Sequence, residues 1–209
     1  PGTVLAPQAV LLHSDTCYFG VRFLPGYNPV LGSSEIMSQL VNHQIPLDEL
    51  IQDRRMLEGI CGTTDFRKQI RAFMRSYMNI YRRVCPMEHS NLLVLHSSNL
   101  LIRSAGSISI EQLAEDTGYT ARYIDRCFRN ETGLSPKQLA KIVRFQAAVS
   151  ALNQNQHKGR SLTEIAADLG YFDQSHFVHD FKAYTGLTPK KYQKLLLHDS
   201  FEEKLRIVQ

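Results

Sequence analysis

Two groups of side chains in this sequence have the types and spacing to read a planar, hydrogen-bonding partner. The first is Ala121, Arg122, Asp125, Arg126 and Arg129; the second is Gln174, Ser175, Val178, His179 and Lys182. A guanidinium presents a fork of N–H donors that matches two adjacent acceptors, as on the major-groove edge of guanine. A carboxamide carries one donor and one acceptor side by side, which suits adenine. Within each group the residues recur three and four apart, so each group occupies one face of a helix.

The elements that must hold these faces are written as a repeat. "TGLSPKQ" at 132–138 returns as "TGLTPKK" at 185–191. Upstream, "SISIEQLAEDTGY" is matched by "SLTEIAADLGY" at an offset of 52, and the offset becomes 53 after the Gly-Tyr pair. The second copy therefore carries one extra residue, near Phe172. Each copy reads as helix, turn, helix, turn. Ser109 and Ser161 are N-cap types, with Glu111 and Glu164 in the first turn. Ile110, Leu113, Ala114 and Leu162, Ile165, Ala166 follow the spacing of one apolar face. Gly118 and Gly170 end these helices, and Gly133 and Gly186 end the second ones. The buried set of the second helix is expected to be Tyr123, Ile124, Cys127 and Phe128 in copy one. In copy two it is His176, Phe177 and Phe181, with His176 at the core or groove wall. Ser135-Pro136 and Thr188-Pro189 then start new helices, each with a capping hydroxyl before a proline at the first helical position.

Pro136 launches a helix to about Leu152, with Leu139, Ile142, Val143, Ala147 and Leu152 as its apolar stripe and Lys137, Lys141 and Arg144 off it. "NQNQHKGR" reads as a polar linker after it. A further helix is expected in "EHSNLLVLHSSNLLIRSAG". Nearer the N-terminus, Thr16–Phe23 alternates like a strand, and "SSEIMSQLVN" and "PLDELIQDRRMLEGI" read as helices. Residues 66–84 make a stronger helix, with Phe66, Ile70, Phe73, Tyr77, Ile80 and Val84 as an apolar stripe suited to a dimer contact.

Composition bounds the reading. The chain has 209 residues, 43% of them hydrophobic, a net charge of +4 and a pI near 8.9. A mildly basic balance permits a nucleic-acid partner. No apolar run reaches membrane-span length and no signal peptide is visible. The chain opens on Pro1, which reads as a fragment or processed product. Cys17, Cys61, Cys85 and Cys127 are too widely spaced for a zinc ribbon or redox pair. Buried, reduced thiols in a cytoplasmic protein are the simplest account. Asp173, His176 and His179 have helical spacing for a metal but lack further ligands. A helical solenoid generally wants three repeats or more, and only two are present. Two units with matching caps and turns point instead to paired helix-turn-helix elements, in which a bracing helix sets a second one into the major groove.

Residues from about 90 to 197 resemble the DNA-binding domain of the AraC/XylS family of bacterial transcription regulators. The resemblance rests on "IEQLAEDTGYTARYIDRCFRNETGLSPKQL" and, more specifically, on "LTEIAADLGYFDQSHFVHDFKAYTGLTPKKY". It implies a mainly α fold: a seven-helix domain at 89–198, with helix-turn-helix units at about 109–132 and 161–185 joined by a long helix. It also implies that Arg122, Asp125 and Arg126, together with Gln174, Ser175 and His179, read DNA; by their place on the same helices Arg129 and His176 join the DNA-facing set, with Lys137 and Lys190 on phosphates. His179 is a departure, since that position is often Arg in the family; it implies second-site binding that is weaker, pH-sensitive or differently specific. "FGVRFLPGYNPVLGSSEIMSQLVNHQIPLDEL" resembles the last strand and following helices of a cupin-like regulatory domain. Residues 1–88 then form a small α(+β) remnant of such a domain, and 199–209 a tail. The implied partners are double-stranded DNA, RNA polymerase, a small-molecule effector on the N-terminal region and a second copy of the chain. Neither membrane, cofactor nor catalytic residue is implied. The alternative is a DNA-binding module of a DNA-alkylation repair or response protein, although no cysteine has the sequence context of an alkyl acceptor.

Overall fold

The computed structural model describes residues 19–21, 23, 40–43, 46, 49, 53–84, 89–155 and 159–196. Nine helices have their full bounds among them: α1 Arg54–Cys61, α2 Phe66–Val84, α3 His89–Arg103, α4 Ile110–Thr117, α5 Ala121–Thr132, α6 Pro136–Gln154, α7 Leu162–Asp168, α8 Gln174–Thr185 and α9 Pro189–Leu196. Seven of these, α3 to α9, fall between 89 and 196, as the mainly α reading requires. No helix among the described residues is long and apolar enough to cross a membrane. The chain divides into two compact units. One contains the described residues 19–99 and 110–136; the other contains 100–109 and 137–196.

In the first unit, α1 starts at Asp53, whose carboxylate accepts the backbone N–H groups of Arg55 and Met56. It packs on α2 through buried Met56 and through Gly59, where an added Cβ would lie 2.8 Å from the Ala72 methyl. Gln69 is buried at this contact, and its Nε2 donates to the carbonyls of Ile60 and Thr63 at 3.1 and 2.9 Å. The buried line of α2 therefore runs through Gln69 and Ser76 and not through the expected apolar stripe. Phe66, Ile70, Met74 and Met78 are exposed. Phe73 and Tyr77 are half-buried and meet the ring of Phe23. A polar side chain wins the inner face because it satisfies two carbonyls of the α1–α2 connection that burial would otherwise leave unpaired.

The strand expected over Thr16–Phe23 lies partly outside the described residues. Its described members, Phe19, Gly20, Val21 and Phe23, have no regular structure. A lone strand has nothing to bond to, and here the segment is used for its aromatic rings, which pack on α2. "SSEIMSQLVN" and the first part of "PLDELIQDRRMLEGI" also lie largely outside the described residues. Cys61, expected to be buried, is exposed, whereas Cys127 is buried.

The helix-turn-helix of this unit is α4 packed on α5, with Leu113, Ile124, Cys127 and Phe128 buried. In the second unit, α7, α8 and α9 close on α6 around Ala148, Leu152, Ile165, Ala166, Leu169, Tyr171, Phe177, Phe181 and Tyr192. The Phe177 and Phe181 rings meet edge to face at 5.9 Å, and Tyr192 donates to Asn153 Oδ1 at 3.1 Å. Both units repeat the same joints. Thr120 and Asp173 cap α5 and α8, and Gly133 and Gly186 end them at φ +72°, donating back to Arg129 and Lys182. Ser161 and Glu164 form a reciprocal capping box on α7.

The long helix α6 has 19 residues, about 28 Å at 1.5 Å per residue. Its buried set is Leu139, Ala140, Val143, Ala148 and Leu152. Ile142 and Ala147 are only half-buried, a small rotation of the expected stripe. Arg144 is a larger correction. It is half-buried, donates from Nη2 to the Gly106 carbonyl at 2.6 Å and lies with Cζ 5.3 Å from the Tyr171 ring centre. A planar guanidinium can bond at its edge and stack on its face at once, so this arginine ties together parts of the second unit. Gly106, at φ +75°, lets the chain pass against α6: an added Cβ would fall 2.2 Å from the Ala140 carbonyl oxygen.

Candidate nucleic-acid interface

The outward face of α5 is a shallow concavity lined by Thr120, Arg122, Tyr123, Asp125, Arg126, Arg129 and Asn130. Of the five residues read from the sequence on this helix, Arg122, Asp125, Arg126 and Arg129 meet there and Ala121 does not line it. Tyr123 joins them, although its helical position suggested the core. Its ring stacks on Tyr119 at 5.2 Å, and Arg126 lies with Cζ 5.0 Å from the ring centre. Tyr123 is thus a platform: its half-buried ring stacks on Tyr119 and holds a guanidinium. A hydrogen bond with Cys127 keeps its hydroxyl protonated to higher pH than usual. Asp125 is also not a bare acid, because Arg129 Nε bonds its Oδ2 at 2.7 Å. Three arginines against one paired carboxylate leave this face with an excess of two positive charges.

The matching face of α8 is lined by Gln174, Ser175, Val178, His179 and Lys182, the set read from the sequence. It is less charged and includes one apolar residue. Gln174 Oε1 accepts a hydrogen bond from the Thr163 hydroxyl on α7 at 2.7 Å. Asp173 caps the helix, its carboxylate taking the His176 N–H at 2.7 Å. That use as a cap accounts for the Asp173–His176–His179 spacing.

His176 departs from the DNA-facing set. It does not line the concavity; its ring lies edge-on to Tyr171 at 5.3 Å, and Nε2 is 3.5 Å from Asp180 Oδ2. It is a wall residue. His179 is the outward histidine, with 85% of its side chain exposed. Behind both lies Asp180, which the sequence reading missed because an acid in a polar helix is ordinarily solvated. It is buried, and His176, His179 and Lys141 surround it at 3.5 to 4.0 Å. Three flanking cationic or protonatable groups offset the cost of burying its charge. Burial, with Asp180 adding to it, pushes the Tyr171 hydroxyl up to about 12, so this ring stays neutral. Lys137 and Lys190 are exposed at the second positions of α6 and α9, each just after the helix-starting proline. Thr120 and Asn130 are further members of the α5 face that the periodicity did not single out.

Comparison with known proteins agrees with the helix-turn-helix reading of the fold. A family model described as a helix-turn-helix domain matches residues 86–195. An uncharacterized HTH-type transcriptional regulator of Haemophilus influenzae is 38% identical over 85 residues, 41% of this chain and 28% of that protein. The HTH-type transcriptional activator AarP of Providencia stuartii is 29% identical over 104 residues, 50% of this chain and 72% of that one. The XylDLEGF operon transcriptional activator of Pseudomonas putida is 29% identical over 83 residues, covering 40% of this chain and 26% of the activator. The chain thus spans only about a quarter of two of these relatives. Its paired helix-turn-helix units lie inside a family match covering more than half of its 209 residues, and the chain belongs to the AraC-type helix-turn-helix family.

Proposed function

We propose that this protein is a sequence-specific DNA-binding transcription regulator that reads double-stranded DNA with α5 and α8. The observation that carries the reading is the outward face of each second helix, where residues able to bond base edges are gathered on a helix anchored by its opposite face. Arg122 and Arg126 suit acceptor pairs on guanine, and Gln174, Ser175 and His179 offer a different, more neutral set. Lys137 and Lys190 contact phosphates and fix register, as charges near helix starts commonly do. The two helices enter successive major grooves, about 34 Å apart. Relatives that are transcriptional activators support a role in transcription, and RNA polymerase is the machinery such a regulator would act upon. The exposed run Phe66, Ile70, Met74 and Met78 on α2 supports a homodimer contact there.

Selection of bound sequences from a random duplex pool tests the reading. Two half-motifs spaced by about one helical turn are expected. Recovery of no enriched sequence, with binding that depends only on salt, would rule out sequence-specific reading.

A further inference from the structure

Thr163 and Gln174 join the two helices of the second helix-turn-helix unit at its outer face. Thr163 is the second residue of α7 and Gln174 the first of α8. The oxygen–oxygen distance is 2.7 Å, the usual length of an O–H···O bond. An amide oxygen only accepts, so the threonine hydroxyl donates. The first unit has no such pair, since Glu111 and Ala121 occupy the corresponding positions of the repeat.

The bond has a consequence for what Gln174 presents. An exposed carboxamide can turn over and exchange its donor and acceptor at little cost. Here the oxygen is the atom turned to the Thr163 hydroxyl, which leaves the Nε2 donors on the other side of the amide. In the major groove guanine and thymine present a keto oxygen, O6 or O4, where adenine and cytosine present an amino donor. A donor-first glutamine therefore meets acceptors on guanine (O6 and N7) or thymine (O4), whereas cytosine offers it a like donor and adenine only N7 beside a like donor.

We infer that Thr163 is a positioning residue that sets Gln174 donor-first, so that the second unit prefers guanine or thymine at the base Gln174 reads. This replaces the adenine contact expected of an unrestrained glutamine, and it rests on the DNA-reading function proposed above. Orientation fixed before binding sharpens preference because it need not be imposed by the DNA.

The test measures affinities of the full chain for duplexes that differ by one base pair at each position of the selected site. Gln174→Ala flattens the preference at one position and so identifies it. At that position the wild type favours a keto base by about 3- to 10-fold, the worth of one net hydrogen bond. Thr163→Val, which keeps the shape and loses the hydroxyl, brings the ratio towards 1 there and leaves other positions unchanged. Thr163→Ser restores it, and the melting temperature of Thr163→Val stays at the wild-type value. An adenine preference in the wild type, an unchanged ratio in Thr163→Val, or an even loss on every duplex overturns the inference alone. A wild type that binds every duplex equally overturns the DNA-reading function with it.

Discussion

Arg126 shows how much of a contact is prepared before any partner arrives. Its guanidinium lies against Tyr123, which is itself stacked on Tyr119. Arg129 is differently placed, since its pairing with Asp125 neutralises the only acid on that face. Arg126→Ala is expected to cost about 1–3 kcal/mol on the preferred duplex and to relax one base preference. Titration on single-base variants checks this, and an equal loss on random DNA would make Arg126 a phosphate contact. Tyr123→Leu should weaken the same preference, since it removes the platform while keeping an apolar edge. His179 is the outward imidazole of α8, with 85% of its side chain exposed, so His179→Ala should relax a base preference of the second unit without changing stability, as read from affinities on single-base duplex variants.

At the scale of elements, the caps decide where each helix begins. The Ser161–Glu164 box satisfies two donors at the start of α7 with two side chains. Ser161→Ala should lower stability by about 0.5–2 kcal/mol in a denaturant titration. The Ser161 backbone N–H and hydroxyl hold the Glu164 carboxyl below the usual carboxylate range. A depressed folded-state pKa stabilises the protein above the ordinary carboxylate range and is lost as pH falls through the depressed value. Glu164→Gln should therefore remove part of the acid sensitivity of unfolding. Most of this level was legible beforehand. Glycines at 133 and 186, prolines at 136 and 189 and the apolar spacing of each first helix are local signals; α5 and α8 end, and α6 and α9 begin, where those glycines and prolines lie. Element faces were less legible where amphipathic residues stood. Tyr123, Arg144 and Gln69 each have an apolar portion and a polar end, so position on a helical wheel could not say which end the fold would use.

At the scale of the molecule, two compact units each hold one reading helix. Their cores differ: the second is rich in aromatic ring contacts, tilted between Tyr171 and Phe177 and edge-on among Phe177, Phe181 and Tyr192. Phe177→Ala removes a fully buried ring and should cost about 3–5 kcal/mol. Calorimetry would detect this as loss of the second unit's transition. If Lys137 and Lys190 lie on phosphates, replacing either with Gln should reduce the slope of log K against log salt by about 0.9, with sequence preference unchanged. The sequence by itself determined the helical repeat, the turns, the caps and the polar faces of α5 and α8. Those features depend on residues within a few positions of one another, so chain order is enough to expose them. Tertiary structure decided the buried Asp180 among its three flanking groups, Arg144 on Tyr171 and Gly106, the turning of His176 to the wall, and the Thr163–Gln174 bond. Each joins residues from different elements or sets a side chain's direction against a neighbouring element. Only the packed arrangement brings those partners within hydrogen-bonding or stacking distance.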